Sequence, residues 1–337
     1  MRSTPRQLPW PFIIWLAAFY TAWVAIVFFG DRWSVVQEHW PIAAAMAMGS
    51  YFAGSTPMGG GTVGFPVLVL LFDQPATIGR NFSFAVQSIG MVSASILILA
   101  LRRPLAWRMT GWSLVGATIG TPLGLFVYAP FVPGVAAKLV FAVVWASFGV
   151  MTFVKLRELS TLEGMTVTTA RFDRLSGLAV GFFGGALITS ITGIGVDMLL
   201  YVVLVLLVRA DLKIAIPSSV VLMAYTSLIG LATNTLRGNI EPEVWANWLA
   251  AAPVVAIGAP LGVIIVNYIP RQPTLLIVSV LCIGQFVWTC VNERVAWTTL
   301  LAAVLGVLAF NLCFHVMYTR GRRLAGIDPA PVPPAAA

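Results

Sequence analysis

AGSTPMGGGTVGFP, residues 53–66, interrupts an apolar stretch (42–72) that is otherwise long enough to cross a lipid bilayer. Pro57 and the glycines at 59–61 stand where a helix in hydrocarbon most needs unbroken backbone hydrogen bonding, because lipid offers no replacement donors or acceptors. Broken backbone at that depth must be buried in protein or line a watered cavity. The stretch therefore predicts a turn at mid-membrane, with a half-helix on either side. A second apolar block, 175–208, carries the same kind of break, TGIGVDM at 192–198.

The surroundings of these two blocks are those of an all-α integral membrane protein. Of 337 residues, 59% are hydrophobic and only 9% are charged, too few to clothe a soluble domain of this size. Eight further apolar segments of spanning length lie at 10–29, 76–101, 109–129, 135–154, 212–236, 244–268, 273–291 and 296–317. The first is too long and too rich in tryptophan for a cleaved leader and reads as an anchor helix. The net charge of +8 comes from short loops between apolar spans, so it is a topology signal and implies no nucleic-acid partner. Cys282, Cys290 and Cys313 all fall inside spans and read as small apolar packing groups. His39 and His315 have no partner at metal-ligand spacing, so no metal and no cofactor is expected.

Sliding the chain along itself until Thr56 falls on Thr192 lays TPMGGGTVGFPVLVLLFD (56–73) on TGIGVDMLLYVVLVLLVR (192–209), with Gly59 on Gly195 and Ser83 on Ser219. At almost the same offset, GTPLG (120–124) meets GAPLG (258–262). Two matches in the same order at nearly the same spacing predict two equivalent halves. Their relative orientation follows from the twenty Lys and Arg residues. If each broken block leaves the membrane by the side it came from, fifteen cations are cytoplasmic and Arg32, Arg80, Lys138, Arg237 and Arg294 are outside. If each block crosses, the bias vanishes. The first arrangement puts three spans between the blocks, which inverts the second half.

The expected fold is thus two inverted repeats, each a glycine-broken re-entrant hairpin plus three spanning helices, with an additional N-terminal and C-terminal span. In residues this gives an anchor helix and loop (1–40), a first transport repeat (41–155), a cytoplasmic linker (156–174), a second transport repeat (175–292), a C-terminal span (293–319) and a disordered cytoplasmic tail (320–337). Both termini are expected in the cytoplasm.

In each hairpin the second half-helix is expected to start at the turn, near Val63 and near Met198, aiming its unbonded amides and positive dipole end at the bilayer midplane. Pro66 then falls in the first turn of its half-helix, where a missing donor costs little. Two such ends form a preorganised site for a small anion. The residues expected to bind it are Ser55, Thr56, Gly59, Gly60, Gly61 and Thr62 at the first turn and Thr189, Ser190, Thr192, Gly193 and Gly195 at the second. Asn81, Ser83, Gln87, Ser218 and Ser219 on the following helices complete the set, with Arg80 as an anion-attracting group. The competing explanations are close helix packing for the glycines, bonding to the own helix for the hydroxyls, and an interfacial snorkelling position for Arg80. Asp197, the single acid deep in an apolar block, reads as an N-cap for the second half-helix, as a carrier of a coupled proton, or as both.

These segments resemble the TauE/SafE sulfite-exporter family, also described as the toluene sulfonate uptake permease group, over roughly residues 40–310. The likeness rests on AGSTPMGGGTVGFPVLVLL followed by GRNFS, on TGIGVDMLLYVVLVLL followed by AIPSS, and on GTPLG and GAPLG. Pro57, Val196 and Asp197 depart from the more glycine-rich turns usual there. The resemblance implies secondary transport of sulfite, a sulfonate or a related small anion across the cytoplasmic membrane, with substrate and lipid as partners. An anion or solute channel on paired hairpins is the alternative, although neither turn carries the Asn-Pro-Ala of water channels. A homodimer stays open. An intramembrane enzyme is not expected, since no serine has a His or Lys base near it in the membrane.

Overall fold

The structure, a computed structural model, describes residues 9–56, 61–265, 268 and 271–327. The described residues form helices and no strand. In order these are α1 (Trp10–Val24), α2 (Trp33–Glu38), α3 (Trp40–Ser55), α4 (Gly61–Pro66), α5 (Ala76–Ala100), α6 (Trp107–Val127) and α7 (Gly134–Leu159). Then follow α8 (Ala170–Phe183), α9 (Ser190–Thr192), α10 (Val196–Val202), α11 (Leu212–Leu236), α12 (Pro242–Ile265), α13 (Arg271–Asn292) and α14 (Trp297–Leu324). Proline opens several of them: Pro9 precedes α1, Pro75 precedes α5 and Pro133 precedes α7, positions where no amide hydrogen is missed. Asp211 caps α11 by accepting from the Lys213 amide at 2.8 Å.

Nine helices among the described residues are long and apolar enough to cross a membrane. Eight are the expected spans. The ninth, Ala170–Thr192, is the first limb of the second broken block, drawn out to spanning length by π-helical turns at Gly184–Thr189. The outermost helices, Trp10–Phe29 and Trp297–Leu324, are each 11% buried over their apolar windows, against 78% for Ala76–Ala100. Large side chains such as Phe29 and Leu236 are exposed around the periphery. An apolar exterior on this scale is the surface of a chain dissolved in lipid.

Inside both broken blocks the limbs lie against each other. A Cβ at Gly49 would stand 2.7 Å from Val63 Cβ, and one at Gly64 would stand 3.1 Å from Met46 Sδ. In the second block Gly184 faces Leu199 at 3.1 Å and Gly195 faces Ile188 at 2.7 Å by the same measure. In one straight helix, positions as far apart in the chain as 49 and 63 would be separated by about 21 Å. The facing pairs are centred near Thr56 and near Thr192, the two threonines that the repeat superposes.

The same shift relates other features. It carries both ends of α5, Ala76 and Ala100, onto both ends of α11, Leu212 and Leu236, and it carries the π-helical segment Val67–Leu71 onto Val203–Leu207. Left-handed residues recur at Asp73 and Arg209 and again at Arg102 and Gly238. Pro66 lies at the last position of α4, not in its first turn, because the chain is already helical at Gly61. The π segment behind it is not the proline's doing, since Val202 precedes its counterpart.

Two glycine seams join the halves crosswise. Gly116, Gly120 and Gly124 on α6 meet the block that starts with α8, where Gly177, Gly181 and Gly185 face back. Gly54 on α3 lies against the Ala259 carbonyl of α12, and Gly262 lies against the Tyr51 carbonyl. GTPLG and GAPLG thus do one job: each brings its helix backbone to backbone with the first limb of the other half's broken block. Helix α14 continues to Leu324, past the expected start of the tail at 320, because its last turn packs on the second block, with Gly321 against the Leu206 carbonyl. The rest of that tail, residues 328–337, lies outside the described residues.

Candidate functional site

The second turn is built from left-handed glycines, Gly193 (φ 81°) and Gly195 (φ 115°), conformations that a Cβ would strain. Its amides are all committed. The Gly193 amide donates to the Thr189 carbonyl at 2.8 Å and the Ile194 amide to Thr192 Oγ1 at 3.4 Å. The Gly195 amide donates to Asp197 Oδ1 and the Val196 amide to Thr189 Oγ1, both at 3.1 Å. Because α10 starts at Val196 instead of Met198, Gly195 holds the N-cap position and Asp197 lies in the first turn. The expected N-cap aspartate is therefore corrected: its carboxylate reaches back to the amide of the cap residue and fills the helix N-terminus as a bound anion would. Asp197 is fully buried, and its Oδ2 has no hydrogen-bond partner among the described residues.

Replacing Thr189 by valine keeps the shape and leaves the buried Val196 amide without an acceptor. The expected cost is about 1–3 kcal/mol of stability, read as a lowered unfolding temperature in detergent, whereas Thr189→Ser keeps the bond and most of the stability.

At the first turn, Gly59 and Gly60 lie outside the described residues. Gly61 opens α4 and stands, under the repeat, where Asp197 stands in the second copy. Ser55 Oγ donates to the Tyr51 carbonyl and Thr56 Oγ1 to the Phe52 carbonyl. Thr62 Oγ1 accepts from Trp145 Nε1 of α7 at 3.1 Å. The other edge of the Trp145 ring faces the second turn, 3.3 Å from where a Gly195 Cβ would be. Among the described residues Trp145 is thus one contact between the two breaks, held by a stack on Phe141 (4.1 Å) that continues to Phe65 (4.7 Å). Beside the first turn a cavity of about 210 Å³ is lined by Phe52, Thr62, Val63, Val278, Cys282 and Gln285, among others. Gln285 Nε2 is buried there and has no hydrogen-bond partner among the described residues. An unused buried donor is costly unless something visits it.

The remaining candidates divide. Ser83 packs under Gly193 and gives its proton to the Gly79 carbonyl, while Gln87 Nε2 bonds the Ser83 carbonyl one turn further along α5. Ser190 donates to Ala186 and faces Gly124 of α6, and the Thr192 hydroxyl lies 2.7 Å from the Ile194 carbonyl. Ser218 donates to Ile214 and accepts from the Ala106 amide, while Ser219 donates to Ile216. These hydroxyl protons are held by backbone in this conformation. Asn81 is drawn away from both turns: it binds the Asn239 carbonyl at 2.7 Å, Glu241 at 2.9 Å and Asn234 at 2.8 Å, tying α5 to α11 and the loop behind it.

Arg80 is 9% exposed, with its side chain turned inward toward Asn81 and its own carbonyl beneath Gly193. It also lines an open cavity of about 470 Å³ with Asp73, Thr77, Lys138 and Ile191 of the second turn. Lys138 in turn pairs with Glu293 at 2.6 Å.

Trp145, Gln285 and Lys138 are the residues that sequence reasoning passed over. Trp145 carried one signal, a tryptophan in the middle of a span instead of in the interfacial belts that tryptophan favours. No group of three or more His, Cys, Asp or Glu residues that could hold a metal exists among the described residues.

Comparison with known proteins agrees with this architecture. Searches of curated proteins and of solved structures return no match. The family model described as "Sulfite exporter TauE/SafE" matches residues 42–288, from the first limb of the first broken block almost to the end of α13. A multi-pass helical chain matched over most of its length, both breaks and both glycine seams included, belongs to the TauE/SafE sulfite-exporter family, a family of membrane transporters.

Proposed function

We propose that the protein is a secondary carrier for a small sulfur oxyanion or organosulfonate, and that the anion binds at the first turn, between the start of α4, Thr62 and Gln285. The observation that carries this reading is the asymmetry of the two turns. At the second, a carboxylate of the chain itself sits on the helix N-terminus. At the first, the equivalent residue is Gly61, and a cavity with an unused amide donor lies alongside. A substrate anion would take on the first turn the place that Asp197 takes on the second.

Re-entrant, inverted hairpins are supported by the facing limbs in each block, by the crosswise glycine seams and by the fifteen-to-five division of cations. Alternating access then amounts to rocking one half against the other around Trp145. The cavity at Arg80 and Lys138 serves as the outer vestibule. Both termini lie in the cytoplasm, and an inside-negative potential drives a monoanion outward with about 2.3 kcal/mol per 100 mV. Uptake would need a coupled ion, and Asp197 Oδ2, which has no hydrogen-bond partner among the described residues, is the atom to carry a proton.

Flux of labelled sulfite and sulfonates in proteoliposomes tests this. A carrier gives saturable flux and counterflow, and conductance without counterflow would mark a channel instead. Asp197→Asn is expected to retain substrate exchange and to lose the response to an imposed proton gradient; an unchanged response removes Asp197 from the coupling.

A further inference from the structure

One end of α7 meets α14 and the base of the second broken block around a cavity of about 260 Å³. Its walls are hydrocarbon, from Val150, Met151, Val154, Leu206 and Phe314, and its rim carries Lys155, Asn311, His315 and Tyr318. The wall continues onto the lipid-facing surface, since Val154 is 68% exposed and Leu312 on α14 is 65% exposed. Lys155 lies in the last turns of α7, and His315 lies in the final third of α14. At the α-helical rise, the path from Gly134 to Lys155 is about 32 Å and that from Trp297 to His315 about 27 Å, close to the thickness of the hydrocarbon core. Both cationic or donor groups therefore stand at one membrane surface.

The charge at this rim is unbalanced. Glu158, one turn beyond Lys155, is already engaged by Arg209 (2.9 Å), the Tyr318 hydroxyl (2.5 Å) and Arg322 (3.6 Å). The Lys155 ammonium has no carboxylate within ion-pair reach among the described residues and rests 3.7 Å from the centre of the Tyr318 ring. Arg320 and Arg323 follow in the next turns of α14. A cationic rim above a groove of hydrocarbon that opens sideways to lipid complements one class of molecule in particular. A free inorganic anion would match the rim and leave the apolar walls unused.

We propose that this cavity binds one anionic phospholipid, with its phosphate on Lys155 and His315 and an acyl chain along Val150, Val154, Leu206 and Phe314. Leu206 belongs to the π-helical segment at the base of the second broken block, so the lipid would brace the limb that ends in the Asp197 turn.

The test is thermal unfolding of the full chain in a neutral detergent, titrated with phosphatidylglycerol, phosphatidylcholine or glycerol 3-phosphate. Phosphatidylglycerol is expected to raise the unfolding temperature saturably, and the other two are not. The double variant Lys155→Gln, His315→Gln is expected to need at least tenfold more phosphatidylglycerol, while Lys155→Arg responds like the wild type. A wild-type response of equal size to phosphatidylcholine or to glycerol 3-phosphate overturns the proposal, as does an unchanged response in the double variant. Native mass spectrometry of the wild type gives a reading that needs no variant: one phosphatidylglycerol retained in preference to phosphatidylcholine supports the site, and equal retention contradicts it.

Discussion

Alanine at Gly54 is expected to leave little folded protein, whereas alanine at Gly111 is expected to be neutral or slightly stabilising. At Gly54 a Cβ would overlap the carbonyl oxygen of Ala259, and no rotamer change can move a backbone atom out of the way. Relief requires α3 and α12 to part along a seam where a Cβ at Gly262 would likewise overlap the Tyr51 carbonyl oxygen. Overpacking costs about 1–3 kcal/mol when side chains can adjust and more when they cannot. A loss above about 3 kcal/mol is a large share of the roughly 5–15 kcal/mol that holds a typical protein folded. At Gly111 nothing lies within 4 Å of the added methyl, and alanine gains about 0.5–1 kcal/mol in a helix interior. Monodispersity and unfolding temperature after detergent extraction separate the two. A well-folded Gly54→Ala protein would mean that α3 and α12 do not meet backbone to backbone along this seam.

Gln285→Leu is expected to raise the KM for the transported anion by about ten- to a hundredfold while the fold and the unfolding temperature hold. A hydrogen bond from a neutral donor to a charged group contributes about 1.5–3 kcal/mol, and each step of roughly 1.4 kcal/mol is a factor of ten in affinity. The stability side follows from the unpaired state of Nε2: replacing a buried amide that has no partner for that group with an apolar side chain removes a desolvation cost. Steady-state flux in proteoliposomes gives KM and maximal rate together. A fall in maximal rate at unchanged KM would place Gln285 in the conformational cycle instead of in the binding site.

Much of this architecture was legible in the amino-acid sequence because membrane helices obey few rules. Length and hydropathy locate eight spans, and the two glycine-rich runs inside apolar blocks mark the breaks, although glycine with proline alone is no break signal, since Pro122 and Pro260 lie beside glycines inside the continuous helices α6 and α12. The repeat was legible from small residues, since Gly120 and Gly124 of GTPLG and Gly262 of GAPLG occupy positions where a neighbouring backbone leaves no room for a side chain. The half-helix starts, expected near Val63 and near Met198, lie earlier: the chain is already helical at Gly61, and α10 begins at Val196. A left-handed glycine such as Gly195 can itself hold the N-cap position, so the helix need not wait for Asp197. Hydroxyl residues near the turns read as ligand donors, yet most give their protons to the carbonyl three or four residues back, a choice that one-dimensional spacing cannot distinguish. Trp145 and Gln285 were missed for a different reason: each is a lone residue in an apolar span, and its meaning lies in which turn α7 or α13 crosses.

The measurement that bears most directly on the first-turn anion site is a sulfite and sulfonate titration of the purified protein, followed by thermal unfolding, in the wild type, Gln285→Leu and Asp197→Asn. Ligand that binds the folded state raises its apparent stability with the logarithm of its concentration over the dissociation constant. The expected result is saturable stabilisation of the wild type, retained in Asp197→Asn and shifted at least tenfold to higher concentration in Gln285→Leu. Equal affinity in the wild type and Gln285→Leu, or loss of binding in Asp197→Asn alone, would contradict it and move the anion to the second turn.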